Sequence, residues 1–390
     1  MIAYMNKKRY VLVVSIILIG IVSLIILNNK LDNKETVLDE VKLKENKVDK
    51  NSFAIMIQKE DKTGYDVYEE ATWPTEGYAF NSELSGCIDN YGSIIQNSMT
   101  YNKDTNIITV DTGVTASCYV YFDIAPKYLS ETIMSLASVS GSNVYNEGDA
   151  GYRYEGATVN NYIAFNNETW RIIGVEEGSK IGLTSGEYYT KIIREFNSST
   201  DSTLFLLPYD SDVNHGNDWS TTSLYTLLNG DYYNRSGSYA SVGLTPESKG
   251  LMVDANWYYT PIGDELREYT TSAWYTNERS DATKVVKDAV GIMYPSDYRY
   301  AAPQSECSAV YPFDYNTGCY NKDWLYDSQW TIIPYSTSML FALYVERSGN
   351  LYVSNVSNDY AVRPVVYLDS DVVITNDGDG SVGSKFEVGK

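Results

Sequence analysis

The chain has 390 residues, 43% of them hydrophobic, which allows two domains with real cores and excludes global disorder. Residues 1–50 take nine of the 30 Lys/Arg and six of the 51 Asp/Glu, leaving residues 51–390 with 21 basic and 45 acidic side chains, a net of −24. Such a body is repelled by phosphate backbones and anionic headgroups and attracts cations, which excludes nucleic acid as a partner.

The N-terminus reads "MNKKRYVLVVSIILIGIVSLIILNNK". Lys7, Lys8 and Arg9 precede an uncharged apolar run from Val11 to Leu27. As a helix that run spans roughly 26 Å, enough for a thin bilayer. A cleaved signal peptide wants small residues at the end of the run, but Leu27 is followed by Asn28, Asn29 and Lys30. The expectation is therefore a cytoplasmic segment over 1–9 and an uncleaved transmembrane signal anchor over 10–27. The bulk of the chain is then outside the cell. Residues 28–52 are charged, with scattered apolar residues at Leu38, Val41 and Leu43, and read as a stalk.

Residues 53–125 show short alternating runs broken by turns: "FAIMIQ", "NIITV" and "SCYVYFD", with "NKDTN" as a turn. They form an expected small all-β module. The four cysteines, Cys87, Cys118, Cys307 and Cys319, contain no C-x-x-C, and the chain has one histidine, so a zinc site is a poor explanation. Two cysteines per expected domain suggest two local disulfides and an oxidising location. Closing the Cys307–Cys319 loop would stabilise by about 3 kcal/mol on chain entropy. Residues 126–149 read as a helical linker, with Leu129, Ile133 and Leu136 on one face and a boundary at "SGSNVYNEGDAG".

Residues 150–390 read as one α+β domain. "NYIAFNNETWRIIGV" predicts a hairpin, Tyr162–Phe165 and Thr169–Val175, turning at Asn166-Asn167. "EEGSKIGLT" predicts a further turn and strand. Ser220 is the expected N-cap of a helix carrying Leu224, Leu227 and Leu228 and ending at Asn229-Gly230; Pro246 opens a second. Strands are expected at "WTIIPY", "FALYVE", "LYVSNV" and "VRPVVYL", with "RSGN" as a hairpin turn.

The order of "YIAFNNETWRIIG", "DWSTTSLYTLLN", "MYPSDY", "VRPVVYL" and a closing "GDG" resembles a family of domains of unknown function on bacterial surface proteins. That family is similar to the C-type-lectin-like fold shared with formylglycine-generating enzymes. The resemblance covers roughly residues 150–390. It implies a C-type-lectin-like C-terminal domain behind the β-module and the membrane anchor, and it implies no established activity.

In lectin-like folds the ligand surface lies on late loops and adjacent strands. Here that region holds Tyr335, Tyr344, Tyr352, Asn355, Asn358 and Tyr360 among serines. The 37 tyrosines against 9 phenylalanines fit either half-buried strands or a wet ligand surface of the kind paratopes use. The bland alternative for Tyr344 and Tyr352 is the alternation of strand faces. His215 lacks a G-x-S-x-G partner and reads as a surface histidine. A sugar-coordinating E-P-N triplet is missing, and "NDW" at Asn217–Trp219 reverses the usual order. A calcium ion is conceivable at Asp377 and Asp379; the nearby G-x-G-x-x-G (Gly378, Gly380, Gly383) cannot open a βαβ unit so near the chain's end and reads as a corner. The expected role is membrane-anchored recognition of an extracellular protein or glycan. The alternatives are an extracytoplasmic enzyme, using Cys307 and Cys319 as a copper pair or a pair of carboxylates, and a purely structural envelope protein.

Overall fold

The computed structural model describes residues 52–390 except 71–73, 75–76, 103–104, 106, 197–200, 213–215 and 265–269. The expected cytoplasmic segment, anchor and stalk up to residue 51 lie outside the described residues, as does His215. Among the described residues no helix is long and apolar enough to cross a membrane. The structure is mixed α+β, mostly sheet with short helices. The chain divides into two units, one ending at Pro126 and one from Lys127 to Lys390.

The first unit is a five-stranded sheet in the order Tyr65–Tyr68, Ser52–Gln58, Ala116–Ile124, Tyr78–Asp89, Ile94–Ile95. Ser52–Gln58 runs parallel to Ala116–Ile124, and the other pairings are antiparallel. Alternation sends Met56, Tyr119 and Tyr121 to one face and Cys87 and Cys118 to the other. The hairpin Met99–Asn102 and Ile107–Val110, turning through the predicted "NKDTN", packs Met99 and Val110 beside the sulfurs. A bulge between Asn81 and Gly86 opens a shallow groove of about 230 Å³ alongside Ile94 to Met99. Cys87 and Cys118 face each other across adjacent strands and are bonded. With 31 residues closed in the loop, the Cys87→Ala/Cys118→Ala variant should lower this unit's stability by about 4 kcal/mol. The readout is its thermal midpoint, and an unchanged midpoint would remove the disulfide from the account of this small core.

The second unit contains the expected linker rather than following it. Leu129–Leu136 is a helix whose Leu129 and Ile133 are wholly buried in the unit's main core. Each buried side chain contributes about 1.5–3 kcal/mol, which a free linker would forgo. Tyr128 bridges Val373, and Val144–Asn146 pairs with Tyr152–Tyr154, which joins the large sheet. That sheet runs Met252–Val253, Val365–Leu368, Tyr188–Arg194, Glu168–Glu177, Tyr162–Phe165, Phe386–Gly389, Val373–Ile374. A five-stranded sheet runs Leu206–Pro208, Asp359–Ala361, Gln329–Pro334, Phe341–Val345, Leu351–Asn355.

The Tyr162–Phe165 hairpin forms as predicted, because Asn166 (φ 55°) and Asn167 (φ 59°) take the two left-handed positions of a type I′ turn. "EEGSKIGLT" instead forms a 3₁₀ turn at Gly178–Ile181, and the strand comes later, at Tyr188–Arg194. That strand is buried on both faces, so it lacks the alternation that betrays a half-exposed strand. The leucine helix also differs. Thr222, not Ser220, caps Ser223–Leu227 by accepting the Tyr225 amide. The helix then continues through Asn229-Gly230 as a π-turn to Tyr232. Asn229 holds it there by bonding both the N–H and the C=O of Val290, a tertiary anchor that outweighs the local stop signal.

Beneath the large sheet lies a charge network cut off from water. Arg153 donates to Glu176 (2.8 Å), Asp297 (3.0 Å) and the Ala150 carbonyl (2.8 Å). Lys191 donates to Asp297 at 2.6 Å, and Arg279 stands 3.2 Å from Glu278 and 3.7 Å from Glu176. Tyr275 and Tyr294 stack against the Arg279 guanidinium at 3.7 and 4.3 Å. Burial alone would raise the Glu176 carboxyl, but Arg153, Lys191 and Arg279 together hold it down at about 2. Glu278 goes the other way. Burial outweighs Arg279 and the two hydrogen bonds from Ser296, and pushes it up to about 7.

Candidate functional site

The tyrosines expected to form a ligand surface separate into a joined group and two outliers. Tyr344 and Tyr352 sit directly opposite each other on neighbouring strands, so their rings share one face of the five-stranded sheet. Tyr360 reaches that face from the far side of Gln329–Pro334. Its ring lies 4.2 Å from Tyr344 and meets Trp330 edge-on at 5.0 Å. Asn358 donates to the Ser354 hydroxyl (2.9 Å), which donates to the Tyr360 hydroxyl (3.1 Å). Burial and the Tyr360 hydroxyl raise the Tyr344 phenol, so it stays protonated and able to donate.

Exposure grades across this face. Trp330 is 1% exposed and pinned by its indole N–H to the Leu207 carbonyl; Tyr344 and Tyr360 are half-buried; Tyr352 is 45% exposed. Phe313 caps the outer end, its ring edge-on to Tyr352 at 5.5 Å. It comes from the 3₁₀ segment Pro312–Thr317 inside the loop closed by Cys307–Cys319, so the disulfide holds part of this surface in place. Periodicity and motif alone do not point to Phe313, Trp330 or Ser354. The only signal in the sequence is that "YPFDY" lies within the short loop between two cysteines.

Two expected residues serve other ends. Tyr335 gives its hydroxyl to Asp264 (2.9 Å) and its carbonyl to Asn217, away from the aromatic face. Asn355 accepts from the Ser357 amide and hydroxyl and builds the turn that leads to Tyr360. Asn217 bonds the Tyr335, Ser338 and Phe341 carbonyls, so "NDW" organises a loop.

Cys307 and Cys319 are bonded to each other and buried, so they present no thiolate pair to copper. The corner after Ile374 is a turn. Gly380 takes φ 76°, where a Cβ would meet the Asn160 carbonyl, and Asp379 accepts the Ser381 amide to close the loop. Asp377 is exposed and 3.4 Å from Lys127. Among the described residues no group of three or more His, Cys, Asp or Glu is arranged to hold a metal.

Compared with known proteins, the chain matches no family model, no curated protein and no solved structure at a significant level.

Proposed function

We propose that the chain is a membrane-anchored recognition or adhesion protein of the cell exterior, whose second unit is a C-type-lectin-like domain that binds a protein or glycan ligand. The observation that carries this reading is the aromatic face, where rings from four segments of chain meet with their hydroxyls and amides linked and the outermost ring left open. Rigid aromatic side chains bind at low entropic cost, and their polar tips supply orientation. The two disulfides support an exterior location, since such bonds persist in oxidising compartments. The basic flank before the apolar run supports an anchor with its N-terminus inside.

The test is to display the full-length chain on cells and probe it with glycan and protein arrays. Tyr352→Ala should weaken any ligand found by tenfold or more, the loss expected of an interfacial aromatic anchor, without changing the thermal midpoint by more than about 1 kcal/mol equivalent. Full binding by Tyr352→Ala together with Phe313→Ala would reject this face.

A further inference from the structure

A second place in the same unit has the opposite chemistry: oxygen acceptors without donors. Glu155 follows the strand Tyr152–Tyr154 and is 5% exposed. One carboxylate oxygen accepts the Gln304 amide at 2.9 Å; the other is buried and has no hydrogen-bond donor. The group that faces it is a second carboxyl, Glu147, at hydrogen-bonding range. No lysine or arginine acts on Glu155 to offset them, and burial with Glu147 opposite pushes its carboxyl up to about 8.

Gln304 adds an independent observation. Its side-chain NH₂ donates to the Arg299 (2.6 Å) and Ala302 (2.8 Å) carbonyls, which fixes the orientation of the amide. Its carbonyl oxygen is thereby turned away from both, buried, and again without a donor. Buried polar atoms in folded proteins find partners, and acceptors facing acceptors are relieved by a proton or by a cation. A soft or nitrogen-seeking metal has no ligand here, whereas two carboxylates and an amide carbonyl are the donors a hard divalent ion takes, with water completing six to eight positions.

We propose that Glu155, Glu147 and the side-chain carbonyl of Gln304 bind a calcium ion, joining the Val144–Tyr154 hairpin to the segment that carries Cys307. The acidic body of the protein concentrates cations around it. With two carboxylates the site belongs to the weak class, filled at about 10⁻⁴–10⁻³ M calcium, as in extracellular modules. This proposal is independent of the aromatic face.

The probe is terbium(III) added to the full-length chain, with Trp324 as antenna: its indole bonds the carbonyl of Tyr154, the residue before Glu155. Excitation of the aromatic residues should give sensitised emission that calcium chloride displaces. Glu155→Gln, which keeps shape and removes charge, should weaken binding tenfold or more. Calcium should raise the thermal midpoint of the wild type and leave that variant unmoved. If Glu155→Gln does not fold, Glu147→Gln, half-buried on a turn, decides alone. No sensitised emission, equal emission from both variants, or loss of emission only in Asp377→Asn would each overturn the proposal, the first two leaving a carboxyl pair that shares a proton.

Discussion

Arg153→Met is expected to destabilise the second unit by about 3–5 kcal/mol, the cost of removing one partner from a buried ion pair. Arg153 is fully buried and its guanidinium is the main partner of both Glu176 and Asp297. Methionine fills much of the volume but leaves those carboxylates with Lys191 and the more distant Arg279. The loss comes from stranded negative charge, and packing is a smaller part of it. Consequently Arg153→Met/Glu176→Gln should lose less than the sum of the single changes, because the second change removes one of the stranded charges. Six of the seven tryptophans lie at residue 170 or beyond, so urea unfolding followed by tryptophan fluorescence reports on this unit. A midpoint shift worth under about 1 kcal/mol for Arg153→Met would show that the network is dispensable.

The second large effect is on pH. Glu278 is raised from 4.5 to about 7 in the folded protein. The folded state thus holds this proton more tightly than the unfolded chain, so its contribution is fully present below pH 4.5 and is lost as pH rises through 7. The loss by pH 8 amounts to roughly 3 kcal/mol, since each tenfold difference in proton affinity between the two states is worth about 1.4 kcal/mol. Glu278→Gln keeps an acceptor for Ser296 and cannot ionise. It should match the wild type at about pH 4.5 and exceed it by roughly 3 kcal/mol at about pH 8. Equal stability of the two proteins at both pH values would refute the assignment. Glu176 has the opposite sign. Its depressed carboxyl contributes above pH 4.5, and that contribution disappears as pH falls toward 2.

The charge network also gives the family-like motifs a physical meaning. "MYPSDY" contributes Tyr294, Ser296 and Asp297; "VRPVVYL" contributes Tyr367, whose hydroxyl donates to Glu176; and Glu176 itself follows "WRIIGV". These segments are the supports of a core, consistent with a resemblance that implies architecture and no activity. Arg153, Lys191 and Arg279 drew no notice in the sequence, because a lysine or arginine on a strand or turn normally reads as a solvated face.

Local physics made several features legible in the sequence alone. Paired asparagines announce a type I′ turn, alternation announces the strands of the first unit, and two cysteines per domain announce two local disulfides. Tyr344, Tyr352 and Tyr360 were also visible as candidates, since strand spacing brings alternate residues to one face. Only the tertiary structure decided the rest. Residues 126–149 became part of a domain because Leu129 and Ile133 had a core to enter. Tyr188–Arg194 escaped notice because burial on both faces erases its period. Phe313 joined Tyr352, and Gln304 met Glu155, across 39 and 149 positions of chain. Periodicity and turn chemistry act over a few residues, whereas a binding face or a cluster of acceptors depends on contacts that the folded core brings together.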